Sequence, residues 1–598
     1  MPEFELYKKN LSLLKIWDPI LAQRVDSFNE VSSIEVIPAK TQNRVPVSNS
    51  ISLHSRYDPV KEATTFAENV GDLKNSDCLV LGLGFAYHIK ELCEFQPRTL
   101  TVIEPSIDMF KQLLQAIDLS IFGLKLNFYV NESPAYVAAR LPKKEWLTVE
   151  HRPSLRLHPQ YFSRLKKGME GASCLERNSL KVLVIPPIYG GSLPTARFCF
   201  ESLKNLGHQP YWVNCEKYAD GFFDMQSCTE KKEHEAVLSR KYLEYLSEMI
   251  VAKAAETRPD IVLALAQAPL DRDTIRRLKD LGAPIAFWFV EDFRTLKYWE
   301  GIAPAYDSFF TIQRGEFFSK LESIECPPFY YLPQACHPPI HSPVKLTANE
   351  MIQFGSDLSF MGAAYYNRTQ LFSQLLNYDF KIWGTGWDGD SVYGSCLQKS
   401  GKRISSEDTV KIYNASKINL NLHSSSFHES VNPNGDFVNP RTFEIGACGG
   451  FQLVDQRSEL CSLFDIGEEL ITFENGKELK EKINHYLELP AERSRIAKAS
   501  QDRVLKDHTF SHRMREMLVQ IYIDHEEKVT RNLKRNLSQR EMLLEQVGSD
   551  TGLFKFLQKY ESSVDLDLKR ICQDIQDGEG ELTDTELLLL MVDQVVKK

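Results

Sequence analysis

Short apolar runs recur along this chain, each followed by a turn and then by a stretch with helical spacing. The runs at 78–81, 100–103, 181–185, 211–213, 260–265, 284–290, 308–311 and 329–332 are rich in Val, Ile, Leu and Phe. They are too short for helices, and a strand buried on both faces needs apolar residues at every position. A second series follows at 358–361, 380–383, 417–422, 451–454 and within 464–473. Helical stretches at 193–206, 230–256, 365–376 and 406–415 lie between them. Strands that alternate with helices predict an α/β protein with parallel sheets. From about 520 onward the pattern turns helical and charged, and Thr583-Asp584-Thr585-Glu586 forms a capping box ahead of the leucines at 587–590.

The chain's 598 residues exceed what one core can hold. The pattern divides into an entry segment over 1–50, a Rossmann-like unit over 51–170, α/β units over 181–335 and 336–520, and a helical tail over 521–598. Gly168, Gly171 and Asn178 mark the first internal boundary. Pro333-Gln334-Ala335-Cys336-His337-Pro338-Pro339 reads as an interdomain crossing. With 43% apolar and 25% charged residues the composition is that of an ordinary globular protein. A net charge of −10 argues against a general nucleic-acid binder but leaves room for a local basic cleft. No apolar run is long enough to predict a membrane span. The N-terminus lacks the charged start and apolar core of a secretory signal. The twelve cysteines form neither a CxxC nor a Cys/His pattern, which predicts reduced thiols, a cytoplasmic location and no metal.

The densest chemistry lies at 435–451. Asp436, Arg441 and Glu444 surround the mouth of an expected helix, and Gly449-Gly450 suits its end. A loop, a helix N-terminus and a following strand aim backbone N–H groups and a helix dipole at an anion. A carboxylate at 444 suits the hydroxyls of a ribose rather than a phosphate. Arg441, one turn away, suits a diphosphate.

Arg441-Thr442-Phe443-Glu444 with Ala447-Cys448-Gly449 resembles the donor-site signature of CgeB-like (spore-maturation type) glycosyltransferases. These are relatives of the large retaining group of two-domain GT-B enzymes. That group carries two acids separated by seven residues. Asp436 and Glu444 have this spacing, with Asp standing where Glu is usual. The order strand–Gly362–helix with Arg368, then strand–Gly384-Thr385-Gly386-Trp387, is similar to the same family. The resemblance implies a GT-B pair of Rossmann-like domains over about 181–520. Its second half would hold a nucleotide-diphospho-sugar through Glu444, Arg441, Arg368, Gly362, Gly384 and His423. The first glycine loop, Gly190, Gly191 and Ser192, would line the acceptor cleft.

Earlier in the chain, the strand at 78–81 leads into Gly82-Leu83-Gly84 and a helix, and the next strand ends at Glu104. This is the opening of a Rossmann-like unit with Tyr87 in place of the third glycine. His54-Ser55-Arg56-Tyr57-Asp58-Pro59, Glu62-Ala63, the Gly82–Gly84 turn and Val102-Ile103-Glu104-Pro105 resemble the central domain of motility-associated Maf proteins, which modify flagellin with sugars. Three readings stay open for Gly82, Gly84 and Glu104: a nucleotide or nucleotide-sugar site, an S-adenosylmethionine site of a methyltransferase, or a scaffold without a ligand.

Together these features predict a glycosyltransferase that works by retention on a flagellin-like protein or a cell-surface glycan. No cofactor is required beyond the donor substrate, because arginines and a helix N-terminus can stabilise the leaving diphosphate. Asp436 would contact the sugar. Asp292, at the carboxyl end of the 284–290 strand, and His337 are the candidate bases should the reaction invert. The competing expectations are a methyltransferase built on the N-terminal unit and a non-catalytic scaffold for surface-polymer or flagellar assembly.

Overall fold

Strands buried on both faces pair in parallel, and three parallel sheets gather nearly all the apolar runs of the sequence. The computed structural model describes residues 3–71, 73–122, 126–536, 543–544, 547, 551–560, 568–578 and 580–596. The first sheet has four strands in the order Asn127–Val130, Thr99–Glu104, Asp77–Leu81, Leu147–Glu150. The second has six, ordered Phe329–Tyr331, Ser308–Thr311, Ile285–Phe289, Ile261–Leu265, Lys181–Ile185, Gln209–Trp212. The third has five, ordered Phe380–Trp383, Leu358–Met361, Ile418–Asn421, Gln452–Asp455, Ile471–Phe473. Every pairing within the three is parallel.

The N-terminal residues do not form a separate entry segment. Helices Glu3–Trp17 and Pro19–Ser27 place Leu11, Leu14, Leu21 and Val25 in the core of the first domain. A small antiparallel sheet of Glu35–Pro38, Arg44–Ser48 and Ile51–Ser52 follows. Asp58 then caps the helix Pro59–Val70 by accepting from the Val60 and Lys61 amides.

Gly168 and Gly171, which mark the expected boundary at 165–180, lie inside the helix Pro159–Arg177. A Cβ on Gly171 would stand 2.5 Å from the Tyr522 ring, and one on Gly168 would stand 3.0 Å from Ile523. These glycines allow two helices to approach closely. They do not loosen the chain. Their partner is the helix Phe510–Asn536, kinked at His525. It begins well before the expected tail boundary at 521 and packs on Pro134–Arg140, Pro159–Arg177 and Ser192–Asn205. One apolar cluster therefore runs through Leu79 and Ile103 of the first sheet, Val182 and Trp288 of the second, and Met514 and Leu518 of this helix.

The third domain enters and leaves through adjacent segments joined by an isolated parallel bridge between Cys336 and Thr509. The Cys336 amide donates to His508 O (3.0 Å) and the Phe510 amide to Cys336 O (2.9 Å). In the tail, helices Gly552–Leu557, Leu568–Gln576 and Asp584–Val596 gather around Phe556, Leu557, Ile571 and Ile575, and Thr583 and Glu586 form the expected capping box. Among the described residues no helix is long and apolar enough to cross a membrane.

Candidate functional site

The helix Pro440–Ala447 starts where sequence places it, with Asn439 as N-cap accepting from the Thr442 amide (3.2 Å) and Pro at its first position. It ends at Gly449, whose φ of +70° suits glycine. Its start is braced from behind. The Asn439 amide donates to His423 Nε2 (2.9 Å), and His423 Nδ1 donates to Asp455 Oδ1 (2.6 Å). Asp455 also accepts from Arg457 Nε (3.0 Å). Burial pulls the His423 pKa down to about 4 despite Asp455, so the ring is neutral. Burial would raise Asp455, but Arg457 and His423 hold it well below the usual carboxylate range. Both ring nitrogens of His423 are thus committed to the helix start, not to a ligand.

Arg441 and Glu444 sit one turn apart on this helix. Arg441 Nη1 donates to Met361 O (2.9 Å) and lies over Gly362, where a Cβ would approach it to 2.8 Å. Glu444 lies 3.5 Å from the Tyr413 hydroxyl and 3.9 Å from His341 Nε2. Burial pushes its pKa up to about 7 against the pull of Arg441. Gly362 and Gly384 close adjacent strands at positive φ (158° and 128°), and a Cβ on Gly384 would stand 2.5 Å from Gly362 O. Only glycine allows these two chain ends to touch.

Arg368 is placed differently from the diphosphate contact that its sequence position suggests. It is buried, and its Nε and Nη2 donate to Leu422 O (3.1 and 2.9 Å) while Nη1 donates to Ala363 O (2.9 Å). Its guanidinium ties together two strand-end loops behind Arg441.

The two larger domains face each other with their strand carboxyl ends, and side chains bridge the gap. Asp436 accepts both terminal nitrogens of Arg294 (3.2 and 3.1 Å) and Gln313 Nε2 (2.9 Å). Gln313 Nε2 also reaches Asp292 (3.3 Å), whose Oδ1 accepts the Arg294 amide (3.1 Å). Arg314 pairs with Glu459 (3.2 Å), and Arg403 Nη2 donates to Gly190 O (3.0 Å). The structure therefore joins Asp436 and Asp292 through one glutamine. His337 stands apart from both. It is buried, stacked on Phe198 with ring centroids 5.1 Å apart, and burial pulls its pKa down to about 4.

Of the two acids that end the 284–290 strand, Glu291 and Asp292, sequence favours Asp292, whereas the structure places Glu291 under the expected acceptor-side glycine loop. Glu291 accepts from Ser192 Oγ (3.3 Å), Gln267 Nε2 (2.7 Å) and the Tyr298 hydroxyl (3.1 Å). Burial raises its pKa against these donors. It stands under the glycine loop of Gly190 (φ 108°), Gly191 and Ser192. The available signal was its place at the carboxyl end of a buried strand.

In the first domain the Gly82–Gly84 turn packs on the protein's own side chains. A Cβ on Gly82 would stand 2.2 Å from Ser154, and one on Gly84 2.5 Å from His54 Nε2. Glu104 is buried and accepts from the Leu83 and Ser106 amides (3.1 and 3.0 Å), and burial pushes its pKa up to about 7. It holds the turn that it was expected to help present to a ribose. Among the described residues His54, His88 and His151 bring their nitrogens within 4.8 Å of one another. The His88 and His151 rings are parallel and stacked at 4.3 Å, so their in-plane lone pairs do not meet at one point. His54 Nε2 already accepts from the Phe85 amide (2.9 Å).

Comparison with known proteins places this geometry. The glycosyl transferase-like family matches residues 368–519, which include Asp436, Arg441 and Glu444. The chain is similar to the spore protein CgeB of Bacillus subtilis (strain 168), at 25% identity over 264 residues, 42% of this chain and 80% of that protein. Among solved structures it resembles a glycosyltransferase from Rickettsia africae (15% identity, TM-score 0.41, 60% of this chain and all of that one). It also resembles Anabaena Alr3699/HepE in complex with UDP and glucose (10% identity, TM-score 0.38, 60% of this chain and all of that one). Two parallel-sheet domains face each other across a bridged cleft, and the stretch similar to glycosyl transferase-like proteins falls on the domain that carries Asp436, Arg441 and Glu444 and on the start of the Phe510–Asn536 helix.

Proposed function

We propose that the chain moves a sugar from a nucleotide-diphospho-sugar onto a hydroxyl of a flagellin-like protein or a cell-surface glycan. The observation that carries this reading is the placement of Arg441 and Glu444 on one helix N-terminal turn, against the touching strand ends of Gly362 and Gly384. Glu444 holds the ribose hydroxyls. Arg441 and the amides of the Pro440–Ala447 helix stabilise the charge that builds on the departing diphosphate. Asp436, fixed by Arg294 and Gln313, contacts the sugar. The acceptor enters over Gly190, Gly191 and Ser192.

Retention is favoured because the acids at the cleft are held by hydrogen-bond donors of the protein's own, not aimed at a water or acceptor hydroxyl. Asp436 is paired with an arginine, and Asp292 accepts from an amide and from Gln313. One observation favours inversion instead: Glu291 is a carboxylate of raised pKa beneath the acceptor loop. The anomeric configuration of the first-formed product, read by proton NMR on wild type and Glu291→Gln, separates the two. An inverted product that disappears in the variant assigns Glu291 as base.

The donor class is tested by thermal shift with UDP-, GDP-, ADP-, CMP- and dTDP-linked ligands and S-adenosylmethionine, on wild type and Glu444→Ala. One nucleotide sugar should raise the melting temperature of wild type and not of the variant. A shift with S-adenosylmethionine alone would move the activity to the N-terminal domain. No shift with any ligand would favour a scaffold.

A further inference from the structure

A cavity of about 370 Å³ lies where the first domain meets the two larger ones, away from Arg441 and Glu444. Four arginines line it, Arg24, Arg140, Arg314 and Arg513, against two carboxylates, Glu132 and Glu516. Two of the arginines are committed. Arg24 is in a close ion pair with Glu132, and Arg513 donates to the carbonyls of Pro333 (2.8 Å), Gln334 (3.2 Å) and Asp507 (3.2 Å).

Arg140 is not matched in this way. Its side chain is only 10% exposed, its nearest carboxylate is Glu516 at 3.9 Å, and its guanidinium lies 4.1 Å from the Tyr136 ring centroid. Its Nη2 donates to Asp507 O (3.1 Å), but its Nε has no hydrogen-bond partner among the described residues. A buried guanidinium N–H without an acceptor is costly, and a cavity beside it is where an acceptor belongs. Arg314 adds a second fork, lying 3.7 Å over the Tyr331 ring and pairing with Glu459.

We propose that this cavity binds a small phosphate monoester of sugar-phosphate size. With Glu459 counted against Arg314, the four arginines still outnumber the carboxylates by one, and that excess favours an anion. The planar forks of Arg140 and Arg314 fit phosphate oxygens in pairs. Phe310, Phe318, Leu332 and Leu463 give the remaining wall an apolar surface for a sugar ring. The volume falls in the range of small-molecule sites. Because Arg314 also pairs with Glu459 of the third domain, a ligand on Arg314 bears directly on a contact that joins the two larger domains.

The test is isothermal titration of the full chain with glucose 6-phosphate in phosphate-free buffer. Wild type should bind at a one-to-one ratio. Arg140→Gln should weaken binding by about tenfold or more, and Arg441→Gln, in the donor cleft, should leave it unchanged. Inorganic phosphate should compete and glucose should not. If Arg140→Gln does not fold, Ser462→Phe narrows the cavity without removing a charge and should abolish binding at unchanged melting temperature. Absence of saturable heat up to about 10 mM overturns the proposal, as does binding that follows Arg441 and ignores Arg140 or Ser462, or that glucose competes away.

Discussion

Glu444 is pulled in opposite directions by its burial and by Arg441, and the balance leaves it titrating near neutrality. Its folded pKa of about 7 stands above the ordinary 4.5. The stability it contributes is therefore complete below about pH 4.5 and lost as pH rises through about 7. On the proposed role of Glu444 at the donor ribose, binding runs the other way, since only the carboxylate accepts from both hydroxyls. The KM for the donor should fall as pH rises from 6 to 8, and Glu444→Gln should flatten that profile and raise KM by roughly tenfold. Glu444 and Arg441 were legible in sequence because a helix start between a loop and a strand defines where they point. Arg368 and His423 were not. Their partners, Leu422 O and Asp455, lie 54 and 32 positions away, and nothing local separates a guanidinium on carbonyls from one on phosphate. His423→Phe should cost about 1–3 kcal/mol in urea unfolding, by leaving the Asn439 amide and one lone pair of Asp455 without their partner.

At the scale of elements, glycine was the ambiguous letter. Gly168 and Gly171 read as a domain boundary but pack one helix against another. Replacing a helical glycine with alanine ordinarily stabilises by about 1 kcal/mol. Gly171→Ala should instead destabilise by about 1–3 kcal/mol, because the added methyl meets Tyr522 at 2.5 Å. Gly301→Ala, in the helix Trp299–Ile302 with no atom within 4 Å of the added carbon, should be neutral or stabilising in the same assay. The central strands were legible because burial on both faces demands unbroken apolar runs. Asn127–Val130 and Leu147–Glu150 escaped notice, since edge strands with one wet face and four residues leave little pattern.

For the whole molecule, the alternation of strands and helices announced the α/β class, whereas the contacts that bring the domains together were invisible. Arg294 and Asp436 are 142 residues apart and belong to different domains. Arg294→Ala should shift the population toward an open cleft, seen as a larger radius of gyration in X-ray scattering and a lower kcat. Added salt should reproduce part of the effect in wild type, because the Arg294 side chain is 34% exposed and its pairing is screened. The first domain shares one apolar cluster with the second domain and the Phe510–Asn536 helix, so removing it should expose that surface and give an aggregating product.

The isolated parallel bridge between the entry and exit segments at Cys336 and Thr509 carries one more consequence. The chain between them is a closed excursion that leaves and rejoins the rest at a single point, as an inserted domain does. It can be exchanged for the equivalent stretch of a related transferase with only two splice sites to match. In such a chimera, sugar choice should travel with the graft and acceptor choice should stay with the host. Diversification by recombination therefore has two faces to match, the cleft and the contact of the Leu460–Ser462 turn with the Pro19–Ser27 helix.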